Sequence, residues 1–261
     1  MFNKIKKTTI VLIAILLGST SCAHSNGNQR LEPEVLPRRA FVHLEKTLTV
    51  RSCTPTQCLS MNFRSAASGF IINKQEEGSF VITAAHFCED AQFPGENTTV
   101  TAKYKVKRLD GTEFTGVSLH YQRDIDVCLM YAADLTEGVQ AVKISPVEPE
   151  PGEKIFNIGA PLSIVGPDMV PILEGRFSGH LGQNAFYTLP AAPGSSGSMI
   201  LNERGELIGL VHSVFLRFHV ISLSTKYEDL KGFIDEYLYK YILYKSVMGE
   251  LQLDNIFSVK S

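Results

Sequence analysis

From about residue 40 onward, hydrophobic and polar positions alternate in short runs that are separated by turn-forming residues. Runs of this kind, rich in β-branched and aromatic residues, predict β-strands, and many short strands in succession are typical of an all-β barrel or sandwich. Asp110-Gly111, between two alternating runs, predicts a tight hairpin turn. The predicted strands are 41–50, 58–64, 69–72, 80–83, 98–108, 113–120, 127–131, 154–158, 170–177, 185–189, 198–202, 207–215 and 218–223.

Two changes of pattern divide the chain. Residues 145–152, rich in Pro and Glu, interrupt the strands and predict a boundary between a first β half at about 39–144 and a second at about 150–225. At about 226–248 the apolar residues recur with helical spacing, which predicts a C-terminal α-helix with one core-facing stripe, followed by a tail at 249–261. The stripe consists of Leu230, Phe233, Ile234, Tyr237, Leu238, Tyr241 and Ile242.

The N-terminal residues form a separate segment with the features of a secretory signal. Three lysines within 4–7 precede an unbroken apolar run at 10–17, which is too short to span a bilayer, and small residues then lead to Cys22. We therefore expect residues 1–22 to be a signal peptide and residues 23–38 to be a polar tether. The protein is then exported, to the periplasm or cell envelope, or secreted.

Cys22 allows two outcomes for this signal. The residues leading to it resemble a bacterial lipoprotein signal, in which the cysteine is lipidated and becomes the new N-terminus. Ser19 departs from that pattern, which has an aliphatic residue three positions before the cysteine. Ordinary cleavage after Ser21 or Ala23 fits the sequence as well. A lipid anchor at Cys22 is the one membrane attachment that the sequence predicts.

Composition excludes several classes of protein. The 261 residues are 44% hydrophobic and 20% charged, which is too apolar for intrinsic disorder and too polar for a multi-span membrane protein. The net charge of −2 leaves no basic footprint for nucleic acid. We expect neither a metal nor an organic cofactor, and His, Cys and acidic residues show no metal-ligand spacing that would argue otherwise. We also expect a monomer with no nucleic-acid partner.

Four cysteines remain apart from Cys22, and export would allow them to form disulfides. Cys53 and Cys58 enclose the turn-like sequence Thr-Pro-Thr-Gln, and we expect them to pair at the tip of a hairpin. Cys88 and Cys128 each stand beside a strand-like run, where they form either a second disulfide or two buried thiols. The sequence leaves that choice open.

Three local signals carry candidate chemistry. His86 ends the sequence Thr-Ala-Ala-His after an apolar strand, and the two alanines allow a tight turn with an open imidazole. Asp126 directly precedes a buried strand, where an acid needs a hydrogen-bonding partner, whereas Asp124 fits a solvated turn residue better. Ser196 lies in a Gly/Ser loop between two strands, where glycines let successive N–H groups converge on one point, as an oxyanion hole requires.

The order His, Asp, Ser on an all-β chain resembles that of a trypsin-like (chymotrypsin-fold) serine peptidase, nearest to the bacterial HtrA-type branch. Residues 83–86 are similar to the family's T-A-A-H, 126–130 to D-[IL]-A-[VL]-L, and 194–198 to G-[DN]-S-G-[GS]; further similarities lie at 68–72, 152–161 and 205–210. The resemblance covers roughly residues 39–240. It implies two six-stranded antiparallel Greek-key barrels with a C-terminal α-helix, forming one protease domain at 39–248.

This sequence departs from the family pattern in several places. Ser195 stands where Asp or Asn is usual, and Ser198 where Gly is commonest. No PDZ-like segment follows the protease domain, so we expect a member of the branch without one. Cys88 lies two residues after His86, so the disulfide of animal trypsins, whose cysteine adjoins the histidine, is not carried over.

The resemblance implies covalent acyl transfer on a protein or peptide substrate. Ser196 Oγ would attack the peptide carbonyl, and His86 would take the proton and return it to the leaving amine. Asp126 would accept a hydrogen bond from the other imidazole nitrogen, and the N–H groups of Gly194 and Ser196 would bind the oxyanion.

Substrate preference is sought in three positions of the implied pocket. The pocket base of trypsin-like enzymes lies six residues before the nucleophile, where Asp selects Lys or Arg; here that residue is Pro190. Relatives that cleave after Glu or Gln place a histidine where this chain has Val211, and His212 comes one residue later. Because side chains alternate along a strand, we expect His212 to point away from the pocket and the residue before the cut to be small or medium and apolar.

Three functions compete at this point. The favoured one is an active exported serine endopeptidase. The alternative is a catalytically inactive homologue that acts as an envelope binding module, which the intact His86, Asp126 and Ser196 disfavour. An unrelated envelope β-protein would require all the motif similarities to be coincidental.

Overall fold

The computed structural model describes residues 36–89, 97–215, 218 and 220–248. The predicted signal peptide at 1–22 with Cys22, the tether except for its last residues, and the tail at 249–261 lie outside the described residues. None of the helices in the described part of the chain is long and apolar enough to cross a membrane.

The first β half forms a closed, six-stranded, antiparallel barrel, as the family resemblance implies. Its strands are β1 (Phe41–Cys53), β2 (Cys58–Gln75), β3 (Gly78–Thr83), β4 (Thr98–Lys107), β5 (Glu113–Gln122) and β6 (Val127–Ala133). Their spatial order is β1-β2-β3-β6-β5-β4, so β6 returns beside β3 and β4 closes the barrel onto β1. Inward-facing residues such as Leu44, Ile71 and Met130 fill the interior.

The β1–β2 hairpin is longer than the sequence pattern predicts. The predicted strands 58–64 and 69–72 are one continuous strand, because β2 pairs with β1 without a break from Cys58 to Phe70. The small residues at 65–68 have weak strand preference, and pairing with β1 overrides it. Cys53 and Cys58 face each other at the tip and form a disulfide, with Cα atoms 4.1 Å apart, as expected.

The second β half is a seven-stranded antiparallel sheet. Its strands are β7 (Lys154–Ile158), β8 (Ile172–Leu181), β9 (Asn184–Tyr187), β10 (Met199–Leu201), β11 (Leu207–Leu210), β12 (Ser213–Val214) and β13 (Ser222–Thr225). Their order is β11-β10-β7-β8-β9-β13-β12. Only Val211 and His212 separate the two end strands in the chain. If β11 and β12 are counted as one interrupted strand, the order closes into a ring of six, consistent with the predicted two-barrel fold.

The strand predicted at 218–223 is shorter and later than expected. It becomes β13, which begins at Ser222. Turn hydrogen bonds from Phe218 N to Phe215 O and from Ile221 N to Phe218 O occupy the residues before it.

The C-terminal helix packs on the barrel, as its apolar stripe predicts. It consists of α2 (Tyr227–Phe233), a π-helical turn (Ile234–Leu238) and α3 (Tyr239–Met248). Leu230 and Phe233 are buried in a core that also contains residues of both sheets. The Tyr237 ring stacks on His120 of β5 with 3.8 Å between ring centroids, and Tyr241 Oη donates a hydrogen bond to Leu119 O. The helix thus covers the first barrel.

Candidate active site

His86 projects from a short helical turn at the end of a buried strand. All six residues of β3 are buried, and Ala84 and Ala85 after it are buried too, so that the chain can turn tightly into α1 (Ala85–Cys88). The imidazole itself is 49% exposed. The small residues therefore have the local effect that the sequence predicts.

Asp126 lies directly against His86. Asp126 Oδ2 is 2.8 Å from His86 Nδ1, and Asp126 Oδ1 accepts a hydrogen bond of 2.9 Å from the His86 backbone N–H. Asp126 adopts a left-handed backbone conformation with φ 50°, which Asp tolerates better than most residues do. Asp124, in contrast, is exposed and accepts a hydrogen bond from Gln122. Of the two acids, only Asp126 meets His86.

The carboxylate changes the protonation of the imidazole. The hydrogen bond to Asp126 raises the pKa of His86 above its ordinary value of 6.5, burial opposes this shift, and the nearby charges of Asp126 and Glu89 add to it. His86 is therefore a stronger base than a free imidazole, and the contact with Asp126 favours the tautomer with its proton on Nδ1.

Ser195 and Ser196 have different environments in the loop between β9 and β10. Ser195 is buried, and its hydroxyl accepts a hydrogen bond from Ala192 N. Ser196 is half-buried and lies between Gly194 and Gly197, both of which have positive φ. Among the described residues, no hydrogen bond joins Ser196 Oγ to the His86 ring. Such contacts are often long before a substrate binds.

The peptide groups of this loop are oriented by bonds to their carbonyls. Leu162 N donates 2.6 Å to Pro193 O, and Ser198 N donates 2.9 Å to Ser195 O. In a trans peptide the N–H points opposite to the carbonyl. The N–H groups of Gly194 and Ser196 therefore point away from Leu162 and Ser198, which bond the preceding carbonyls. Neither N–H has a backbone acceptor among the described residues. Two free donors, two residues apart, are what an oxyanion site requires.

Ser68, a fully buried residue of β2, joins the serine loop to the first barrel. Its N–H donates 2.8 Å to Ser196 O, and its Oγ donates 2.8 Å to Gly194 O while accepting from Ala160 N. Its carbonyl accepts 2.7 Å from Thr83 Oγ1, three residues before His86. The serine loop and the histidine turn are thus linked through one residue.

The predicted pocket residues lie in three different surroundings. Pro190 is exposed, whereas Val211 is buried in the interior of the second sheet beside Leu189 and Ala191. His212 points the other way, with its Nδ1 4.0 Å from Asp126 Oδ2 and 2.9 Å from Ser213 Oγ. Burial lowers the pKa of His212 and so favours the neutral ring, although Asp126 opposes the shift. Val211 and His212 thus have different surroundings, the first in the core of the second sheet and the second near Asp126.

Sequence reasoning missed two contributors to this site. In the sequence Ser68 belongs only to the motif similarity at 68–72, and Leu162 belongs to no motif. Leu162 and Ser163 have φ values of 54° and 55°, a conformation that costs energy in residues other than glycine. No local pattern identifies either residue, because their partners lie far away in sequence.

The remaining cysteines pair, which closes the choice that the sequence left open. Cys88, at the end of α1, forms a disulfide with Cys128 of β6, with Cα atoms 6.4 Å apart. Within the described ranges there is no group of three or more His, Cys, Asp or Glu side chains that could hold a metal ion.

Comparisons with known proteins identify a family. The family model described as a trypsin-like peptidase domain matches residues 67–210, which include His86, Asp126 and Ser196. A protein of Synechocystis sp. described as "Putative serine protease HhoB" is 31% identical over 156 residues. The alignment covers 56% of this chain and 34% of that protein, so the chain matches about a third of the relative's length.

The packing around Gly197 predicts a large effect of one methyl group. A Cβ there would lie 2.2 Å from both Ser68 O and Thr83 Oγ1, whereas one at Gly152 would meet no atom within 4 Å. Both glycines have positive φ, 80° and 95°. Gly152→Ala should therefore cost about 1 kcal/mol of unfolding free energy, and Gly197→Ala at least about 3 kcal/mol. Urea unfolding of both variants measures the difference; equal losses would contradict the predicted clash.

Proposed function

The chain belongs to the family of trypsin-like peptidase domains, and on that basis we propose that it is a serine endopeptidase that cleaves peptide bonds through an acyl-enzyme intermediate. The observation that supports this most is the His86–Asp126 pair. Thr83, three residues before His86, is linked through the buried Ser68 to a loop with an accessible serine and two N–H donors that have no backbone acceptor among the described residues.

In the proposed mechanism His86 Nε2 takes the proton of Ser196 Oγ as the hydroxyl attacks the carbonyl carbon. The C–O bond forms, the carbonyl oxygen becomes an oxyanion, and the N–H groups of Gly194 and Ser196 bind it. His86 then protonates the leaving amine, the C–N bond breaks, and an acyl-enzyme remains. Water, deprotonated by His86, releases the acid and restores Ser196.

The proton-transfer role of His86 depends on Asp126. Each hydrogen bond that the carboxylate makes, one to the ring and one to the backbone of His86, restricts where the imidazole can lie. The negative charge also stabilises the imidazolium that forms during attack. The second imidazole, His212, lies beside the same carboxylate, and its lowered pKa avoids a competing positive charge there.

We further propose that the protein is exported. The two disulfides support this, because disulfides persist in oxidising compartments. The lysine-rich and apolar features of residues 1–22 support it independently. Nothing in the described residues favours the inactive binding module over the peptidase.

The assignment of Ser196 rather than Ser195 as nucleophile can be tested with one matched pair. Ser196→Ala should reduce peptide turnover by about 10⁴- to 10⁶-fold and abolish labelling by a fluorophosphonate probe. Ser195→Ala should still be labelled, because the buried Ser195 hydroxyl is occupied within the loop. A Ser196→Ala protein that retains labelling would refute the nucleophile assignment, and an unlabelled wild type would refute the peptidase proposal.

The pH dependence should report the bond between His86 and Asp126. Activity needs neutral His86, so kcat/KM should rise with pH through the pKa of His86, which lies above 6.5 in the folded protein. Asp126→Asn removes the main cause of that raised pKa. The increase of kcat/KM with pH should then occur at lower pH, and its maximum value should fall about 10⁴-fold. Asp124→Asn is the control and should leave the profile unchanged; the reverse result would exchange the roles of the two acids.

The raised pKa of His86 also predicts how the unfolding free energy depends on pH. Because folding raises the pKa of His86, its stabilising contribution is complete below the unfolded pKa and is lost as pH rises through the folded value. Ser196 is not involved, so Ser196→Ala provides an inactive protein in which pH-dependent unfolding can be measured without self-cleavage.

Specificity should follow from the apolar surroundings of the implied pocket. Leu189, Pro190, Ala191 and Val211 carry no charge, so we expect cleavage after Val, Ala, Leu or Ile. Profiling a peptide library with wild type beside Ser196→Ala measures this preference. Cleavage mainly after Lys or Arg would show that Pro190 does not decide it, and cleavage after Glu or Gln would require His212 to face the substrate.

A further inference from the structure

The Cys88–Cys128 disulfide lies close in sequence to the His86–Asp126 pair. Cys88 follows His86 by two residues, and Cys128 follows Asp126 by two residues. The disulfide and several hydrogen bonds therefore join the same two segments, α1 and the residues at the start of β6. Both cysteines are buried, with exposures of 2% and 0%.

We propose that this disulfide positions the active site: it holds the turn that carries His86 against the strand that follows Asp126, so that the oxidised protein is the catalytically competent form. This inference rests on the proposed function. It concerns placement of the pair, not stability alone, and it gives Cys88 and Cys128 a positioning role that does not involve contact with substrate.

The turn that carries His86 cannot hold its own position. α1 has four residues, and its N-cap residue, Ala84, makes no side-chain capping bond. A single helical turn is not stable in isolation, because the cost of ordering the first turn exceeds the gain from its hydrogen bonds. The position of His86 is therefore set by what α1 contacts in the barrel.

The contacts of α1 attach it to two different parts of the barrel. Lys46 Nζ donates to the carbonyls of Phe87 and Glu89, and Tyr104 Oη donates to Cys88 O. These bonds come from β1 and β4 and fix α1 to that side of the barrel. Toward Asp126, the attachments among the described residues include the Ala85 N–H bond to Asp126 O, the Glu89–Arg123 ion pair and the disulfide.

Of these attachments the disulfide is the covalent one, and it adds to the pairing of Thr83 in β3 with Cys128 in β6 and to the bonds between His86 and Asp126. The ion pair involves an Arg123 side chain that is 63% exposed, and such pairs contribute little. The backbone bond to Asp126 O belongs to a turn with a left-handed residue, which must itself be held in place. The disulfide limits the separation of the two segments covalently, and the neighbouring β6 backbone is part of the barrel.

Reduction has a defined chemistry here. A dithiol reductant attacks one sulfur, the Cys88–Cys128 bond breaks, and the reductant leaves as a cyclic disulfide; two electrons and two protons pass to the protein thiols. Because both cysteines are buried, this exchange should be slow in the folded protein. The link must therefore form during folding in an oxidising compartment, which agrees with the proposed export.

The test compares two pairs of cysteines. Cys88→Ala with Cys128→Ala removes the proposed positioning link, and Cys53→Ala with Cys58→Ala removes the hairpin-tip disulfide as a matched control. Each is assayed well below its midpoint of thermal unfolding with a fluorogenic peptide that carries valine before the cleaved bond. The first pair should lower kcat about 10- to 100-fold, because misplacement of catalytic groups by about 1 Å has effects of this size, with little change in KM. The control should keep wild-type kinetics.

Two further readouts separate positioning from stability. The acid limb of the pH profile should move to lower pH in the Cys88/Cys128 variant, as the bond from Asp126 weakens. The downfield NMR signal of the proton between His86 Nδ1 and Asp126 should weaken or broaden as well. A variant that melts earlier but keeps kcat, the acid limb and this signal would overturn the proposal.

If the double variant does not fold, wild type during slow reduction by dithiothreitol gives the same answer. Mass spectrometry of alkylated samples measures the opening of each disulfide, and circular dichroism measures the fold. Activity should fall in step with opening of Cys88–Cys128 while the fold persists; activity that survives complete opening would overturn the proposal. If oxidised wild type neither cleaves peptides nor reacts with the fluorophosphonate probe, the proposed function fails, and the NMR signal alone decides placement.

Discussion

The contacts of Ser68 join the serine loop of the second sheet to the first barrel, and the candidate site depends on them. Its N–H, Oγ and carbonyl all form hydrogen bonds, to the residues on either side of the site and to the end of β3. Each such bond contributes about 0.5–1.5 kcal/mol, but an unpaired buried group costs about 1–3 kcal/mol. A small change in how the two sheets meet would leave several of these groups unpaired. The network therefore restricts their relative position at the point where chemistry is proposed.

The contact with Ser68 also brings the backbone at Gly197 close to β2 and β3. Ser68 O and Thr83 occupy the space that a side chain at 197 would need, so only glycine fits there. A Cβ at Gly194 would likewise lie 2.5 Å from Ala160 O. Nearby, Asp126, Leu162 and Ser163 adopt left-handed conformations without being glycines. Such strained residues persist only where the surrounding structure compensates, and here they lie at the turns that orient the Asp126 carboxylate and the peptide before Gly194.

Two imidazoles of the candidate site, His86 and His212, lie near the same carboxylate. Asp126 lies within reach of both His86 and His212, but the two rings respond differently: the hydrogen bond raises the pKa of His86, whereas burial lowers that of His212. His212 is bonded to its own strand and lies 4.0 Å from the carboxylate, too far for a hydrogen bond. The carboxylate therefore acts mainly on His86, the more exposed ring and the one that a substrate can reach.

Local pattern in the sequence was sufficient for the strand-rich architecture, the C-terminal helix, the tip disulfide and the motifs around His86, Asp126 and Ser196. These features depend on side-chain periodicity, turn residues and short spacings, all of which are readable along the chain. Only the tertiary structure decided that Cys88 pairs with Cys128, that the predicted strand 207–215 is interrupted at Val211 and His212, and that Ser68 and Leu162 orient the serine loop. The disulfide joins positions 40 residues apart, and the bond from Ser68 Oγ to Gly194 O joins positions 126 residues apart. Periodicity carries no information about such distant partners, because the register that unites them is set by the packing of the whole chain.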